Sequence, residues 1–109
     1  AGIERYGFAV TPMDEALAQV AIDLSNRPYL VYRLPKALDC VGRFDAGLAK
    51  EFFRAFVVKG GMNLHVNVLY GENEHHVLES VFKSVGRALK QAVRTDSTRL
   101  GILSSKGTL

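Results

Sequence analysis

At 109 residues, 48% of them hydrophobic and 23% charged, the chain has room for one hydrophobic core and none of the bias of a disordered or low-complexity segment. Its single cysteine, Cys40, excludes an intrachain disulfide, and no apolar run approaches the roughly 18 residues of a membrane span, so the chain reads as a cytosolic protein. A formal charge of +3 is mildly basic, which suits a phosphorylated substrate or nucleic acid without selecting either.

The chain opens on Ala1-Gly2-Ile3 rather than Met, the start expected of a fragment or processed product. Residues 6–12 alternate, with Tyr6, Phe8 and Val10 on the apolar side of a half-buried strand. Residues 17–24 repeat the pattern, with Val20, Ile22 and Leu24 set against Gln19 and Asp23. Ser25-Asn26-Arg27-Pro28 is a turn cluster and Tyr29 to Leu34 is again β-rich, so 17–34 is predicted to form a hairpin ended by Pro35.

Asp45 is the predicted N-cap of a helix over 46–59. Leu48, Phe52, Ala55 and Phe56 fall at helical spacing, and Phe53, Val57 and Val58 widen the stripe, which predicts a largely buried helix closed by Gly60-Gly61. Met62, Leu64, Val66 and Val68 then alternate with Asn63, His65 and Asn67, a strand with one core face and one polar face. Asn73 caps a last helix over 74–94, whose stripe runs through Val77, Leu78, Val81, Phe82, Val85, Ala88, Leu89, Ala92 and Val93. The tail from Asp96 has no period. The order β-β-β-α-β-α makes an α+β domain over 1–109 with both helices on one sheet face. The other face, carrying His65, is expected to be covered from outside the chain or to open onto a site.

The three histidines cluster late in the chain: His65 on the strand, His75 and His76 at the helix start. His75 and Glu79 are an i,i+4 pair, His76 and Glu79 an i,i+3 pair, so both imidazoles neighbour one carboxylate. The two rings diverge by about 100° around the helix, so they suit two different metal ions better than one. Their place in the first turn favours the neutral, ligating form. The bland alternative is a solvated helix start, and a lone strand histidine such as His65 is most often a surface residue. Lys83 and Arg87 continue the His75/Glu79 row, either to hold an anion or as an ordinary solvated face. Ser104-Ser105-Lys106-Gly107 offers hydroxyls, an ammonium and backbone N–H groups to a phosphate, although small polar residues fill most chain ends. Arg5 and Arg27 are a clamp of the same kind or plain surface. Cys40, beside Asp39, reads as structural.

Six separated segments together resemble the second half of the imidazoleglycerol-phosphate dehydratase family. They are Gly2-Ile3-Glu4-Arg5-Tyr6-Gly7, Pro12-Met13-Asp14-Glu15-Ala16-Leu17, Asp23-Leu24-Ser25-Asn26-Arg27-Pro28-Tyr29, Leu64-His65-Val66, His75-His76-Val77-Leu78-Glu79 and the terminal Ser104-Ser105-Lys106-Gly107. The resemblance covers essentially the whole chain. Ser105 departs, standing where threonine is more usual and keeping the hydroxyl, and the larger departure is that the family's first half is not in this chain.

The resemblance implies a β-β-β-α-β-α half-repeat like the second domain of ribosomal protein S5, the second of two similar halves. It implies dehydration of imidazole glycerol phosphate to imidazole acetol phosphate in histidine biosynthesis. Two manganese ions per complete site would act as Lewis acids on the substrate's imidazole ring. His65, His75, His76 and Glu79 would be metal ligands, with His76 and Glu79 closest to the chemistry. Arg5, Arg27, Lys83, Ser104 and Lys106 would take the substrate phosphate. The partners implied are the N-terminal half, with its own His-His-x-x-Glu-Asp and a catalytic glutamate, and a 24-subunit homo-oligomeric shell. Two other classes compete: a basic S5-like RNA-binding module, and a half-domain whose role is packing alone. The first needs a contiguous cationic face, yet Arg43, Lys50, Arg54, Lys59, Lys83 and Arg87 are dispersed over separate elements.

Overall fold

Two alternating runs separated only by Asp14 and Glu15 leave the chain little choice but a tight reversal. In the computed structural model, which describes residues 2–36, 38 and 44–95, Asp14 adopts φ 51° at that reversal. The strands it joins are β1 (Tyr6–Met13) and β2 (Ala16–Asp23), paired antiparallel from Tyr6↔Asp23 to Met13↔Ala16. There follow β3 (Tyr29–Arg33), α1 (Phe44–Gly60), β4 (Asn63–Tyr70) and α2 (Glu74–Ala92). The element order and α+β class are those expected from the sequence. Cys40, Ser104, Ser105 and Lys106 lie outside the described residues.

The expected hairpin over 17–34 does not form. The sheet order is β1-β2-β4-β3, so β4 lies between β2 and β3. It runs antiparallel to β2 and parallel to β3, with Ala21↔His65 on one side and Val31↔His65 on the other. The 25–28 cluster is docked on the α1–β4 junction instead of folding back on β2. Asn26 N–H donates to Gly61 O at 2.7 Å and Tyr29 N–H to Met62 O at 3.2 Å. With α1 as crossover, β3 and β4 form the parallel pair that a helical connection permits.

One sheet face is buried, through Ala16, Ala18, Val20, Ile22, Leu64, Val66 and Val68. Both helices cover it. α2 buries Val77, Val81, Val85, Ala88 and Ala92, and α1 inserts Phe53, whose ring stands 5.0 Å from that of Phe82 on α2 and 5.9 Å from that of Tyr32 on β3. Ser80 and Ser84 are buried in the same interface. Their hydroxyls donate to Val77 O (2.8 Å) and Ala18 O (3.2 Å), so neither is left unsatisfied.

Two expected faces are reversed or narrowed. On β1 the buried residues are Gly7, Ala9 and Thr11, while Tyr6, Phe8 and Pro12 are exposed and Val10 is half-buried. The cause is the closeness of α2: a Cβ at Gly7 would overlap the Ala88 carbonyl oxygen, so only the small-residue face of β1 fits beneath the helix. Among the α1 residues whose side chains are described, Ala49, Phe53 and Val57 are buried and Phe56 is partly covered. Leu48, Phe52, Ala55 and Val58 face solvent because α1 covers only the β3 side of the sheet and meets α2 along one flank. The helix already begins at Phe44, which leaves Asp45 inside its first turn rather than capping it. Gly61, at φ 59°, ends the helix as expected.

The N-terminal segment closes on the far end of α2, where Arg5 N–H donates to Ala92 O at 2.8 Å. Along the outer edge of β1, Gln91 Oε1 accepts from Phe8 N–H at 2.8 Å and Arg87 Nη1 donates to Val10 O at 3.1 Å. Gly7→Ala is expected to destabilise the fold by about 1–3 kcal/mol through overpacking. Gly86→Ala, on the exposed side of the same helix with open space around it, is expected to gain about 0.5–1 kcal/mol. Urea midpoints of the two variants check both signs.

Candidate functional site

The β1–β2 reversal lies against the first turn of α2, and the side chains that meet there carry most of the chain's convergent polar chemistry. Asn73 caps the helix, its Oδ1 accepting from His76 N–H at 3.1 Å. Glu15, reaching across from the hairpin, accepts with Oε2 from Glu72 N–H at 2.9 Å and from Asn73 N–H at 2.8 Å. Its other oxygen, Oε1, stands 2.6 Å from His76 Nδ1. The backbone N–H of Asn73, the His76 ring and the backbone N–H of Glu72 hold the Glu15 carboxyl down to a pKa of about 2. His76 is pushed the other way. The Glu15 hydrogen bond raises its pKa, helped by the nearby charges of Asp14 and Glu79. The carboxylate in contact thus biases the ring toward its charged form, against the pull of the helix end.

Neither Asp14 nor Glu15 was singled out by spacing, because both lie far from the histidines in the chain. The available signal was two acidic residues in the two-residue link between alternating runs. Asp14 Oδ2 lies 3.4 Å from His76 Nε2, on the outer side of the ring.

Of the other predicted ligands, His75 and His65 stand apart, while Glu79 lies near enough for its charge to act on His76. His75 is exposed and lines a shallow groove of about 510 Å³ with Leu48, Ala49, Phe52, Leu78 and Phe82. Glu79 is half-exposed and faces Lys83 at 3.9 Å. His65 lies on the open sheet face, in the cross-strand row Phe8–Ala21–His65–Val31. Imidazole and carboxylate donors suit a divalent first-row ion. Among the described residues, however, no group of three His, Cys, Asp or Glu side chains is placed to hold one. The donors fit such an ion as partial sets on separate surfaces, each needing ligands from elsewhere.

Of the predicted phosphate residues, Arg5 and Arg27 do come together. They line a cavity of about 450 Å³ with Asp23, Ser25, Pro28, Tyr29 and Asn63. Arg5, at φ 73°, turns its guanidinium onto Asp23, with Nε donating to Oδ1 at 2.7 Å and Nη2 to Oδ2 at 3.2 Å. This two-pronged contact fixes the plane of the fork and leaves Nη1 free of that carboxylate. Asp23 escaped sequence reading because it looks like an ordinary outward strand residue. Lys83 does not line this cavity.

The pKa shifts carry a pH signature. Glu15 ionises at about 2 in the fold against an ordinary value of 4.5. Its stabilising effect is therefore complete above about 4.5 and is lost as the pH falls toward 2. His76, raised by its partner, contributes below its unfolded value and ceases to contribute as the pH rises through the folded one. The thermal midpoint is expected to drop between pH 4.5 and 2, and the drop to be smaller in Glu15→Gln. Calorimetry across that range checks it.

With this geometry in view, the relatives are informative. The family model for imidazoleglycerol-phosphate dehydratase matches residues 1–89. The chain is 62% identical over 108 residues to imidazoleglycerol-phosphate dehydratase of Syntrophobacter fumaroxidans, covering 99% of this chain and 55% of that protein. It is 60% identical to that of Desulfosudis oleivorans, with the same coverage. The crystal structure of the dehydratase from Staphylococcus aureus superposes with a TM-score of 0.78 at 41% identity, covering 87% of this chain and 56% of that one. IGPD from Pyrococcus furiosus, solved in complex with (S)-C348, gives 0.77 at 38% identity, covering 85% and 52%. The chain thus spans about half the length of the curated relatives it matches. By sequence and fold alike, it belongs to the imidazoleglycerol-phosphate dehydratase family.

Proposed function

We propose that this chain corresponds to the second of two similar halves of a manganese-dependent lyase. The lyase dehydrates imidazole glycerol phosphate to imidazole acetol phosphate in histidine biosynthesis. In this reading His65, His75, His76 and Glu79 are this half's metal ligands, two ions serving each complete site. Arg5, Arg27, Lys83, Ser104 and Lys106 take the phosphate. The observation that carries it is the shared cavity in which Arg5 and Arg27, from different parts of the chain, face a volume suited to a small anion. Two guanidiniums offset by one carboxylate leave a net positive charge there, and Asp23 keeps the Arg5 fork from folding away.

The division of imidazoles over three surfaces supports a site shared between halves and between subunits. So does the ring surface left at solvent: Phe52 is 52% and Phe82 44% exposed, beside exposed Leu48, an apolar area suited to the remaining half. The assembly expected for the complete enzyme is the 24-subunit shell of the family. The metal, when bound, supplies Lewis acidity that stabilises negative charge developing on the substrate ring. This chain's residues do the rest of its share. Arg5 and Arg27 anchor the phosphate end, His76 is held by Glu15 at a set angle, and Glu79 stands one helical turn away beside Lys83. The N-terminal half supplies the remaining ligands and acid–base groups.

In an assembly containing both halves, His76→Ala or Glu79→Ala is expected to abolish manganese binding and turnover while leaving the far-UV circular dichroism unchanged. Native mass spectrometry with added manganese reads the stoichiometry. Retention of the full metal complement in either variant would sink the reading.

A further inference from the structure

The Glu15 carboxylate is fully engaged at the start of α2. One oxygen accepts from two backbone N–H groups, those of Glu72 and Asn73, and the other meets His76 Nδ1 at 2.6 Å. An ionised carboxylate has no proton to give. In the neutral ring, therefore, Nδ1 must carry the hydrogen and Nε2 the lone pair. The His76 main chain is pinned separately, by the bond from its N–H to Asn73 Oδ1. Backbone and inner ring nitrogen are both held, and only Nε2, on the side of the exposed Asp14, is left to meet a ligand.

We propose that Glu15 is a positioning residue: it holds His76 in the Nδ1–H tautomer and presents Nε2 as the ligating nitrogen. The consequence for metal rests on His76 being a ligand, as proposed above; the tautomer does not. A carboxylate behind a ligating imidazole fixes ring orientation and raises its basicity, and losing such a partner costs about 10–100-fold in metal affinity. The same contacts make the helix start and the ring a single unit, since the carboxylate that holds the backbone of Glu72 and the N-cap Asn73 also orients His76.

Glutamine at this position separates capping from orientation. Its single carbonyl oxygen can keep the two backbone N–H bonds or the ring bond, but not both. Two bonds outweigh one, so the amide –NH2 turns to Nδ1, which must then accept. Glu15→Gln is thus expected to preserve the cap and invert the tautomer.

The test begins with the metal-free chain, its histidine rings labelled with ¹⁵N, at a pH where His76 is neutral. Two-bond nitrogen–proton correlations are expected to show His76 protonated at Nδ1, and in Glu15→Gln protonated at Nε2. Backbone amides of Glu72 and Asn73 should stay protected in both, and the core amides of Val20 and Leu64 report that each is folded. In the two-half assembly, manganese affinity by chelator competition is expected to fall about 10–100-fold in the same variant. An Nε2–H tautomer in the unsubstituted chain would overturn the proposal without any variant. So would manganese affinity within twofold of the parent in Glu15→Gln while His76→Ala abolishes binding. If His76→Ala itself keeps its manganese, the ligand reading falls instead, and the tautomer result stands or falls separately.

Discussion

How closely α2 can approach the sheet governs the rest of this structure. Small side chains line both sides of the contact: Gly7, Ala9, Ala16 and Ala18 on the strands, Ser80, Ser84, Ala88 and Ala92 on the helix. At that distance dispersion contacts are dense, and the buried serine hydroxyls find carbonyls instead of water. The same distance decides which face of β1 looks inward. It also sets the first turn of α2 against the Asp14–Glu15 reversal, so that a side chain the length of glutamate reaches the helix backbone. A larger residue under Ala88 would lift the helix and draw His76 away from its partner.

The polar groups that matter are distributed by this geometry in an ordered way. One end of the sheet gathers Arg5, Asp23 and Arg27; the hairpin end gathers Glu15 and His76. His65 belongs to neither, since it occupies the middle of the open sheet face between Ala21 and Val31. These polar side chains thus face outward in several directions and do not converge within the core.

Much of this was legible in the sequence where the signal is local. The strand at β4, the Asn73 cap and most of the α2 stripe follow from alternation and 3.6-residue spacing, and the structure has them, although Phe82 and Val93 of the expected stripe are exposed. The hairpin was misplaced because pairing is a long-range choice: the turn chemistry of Ser25 to Pro28 is real, yet Asn26 docks on Gly61 and the following Tyr29 on Met62. The phase of β1 was misread for a different reason. Tyr6 and Phe8 are more apolar than Gly7 and Ala9, but burial there is set by the room beneath a helix that contributes Ala88. The three histidines could be found by type and spacing alone, but not their division over separate surfaces. Glu15, which orients one of them, could not, because no periodicity links a turn residue to a helix sixty residues away.

The bonds from Phe8 N–H to Gln91 Oε1 and from Arg87 to Val10 O also govern how the sheet can grow. β1 is an end strand, and a bare end strand invites another chain to add alongside. Here two helical side chains already occupy donor and acceptor positions on that rim. A newcomer strand would have to break both bonds before making its own. The β1 rim is thus guarded against fibre-like addition. Any contact at that rim is left to side-chain surfaces, where binding is selective and register is not shared by every passing strand.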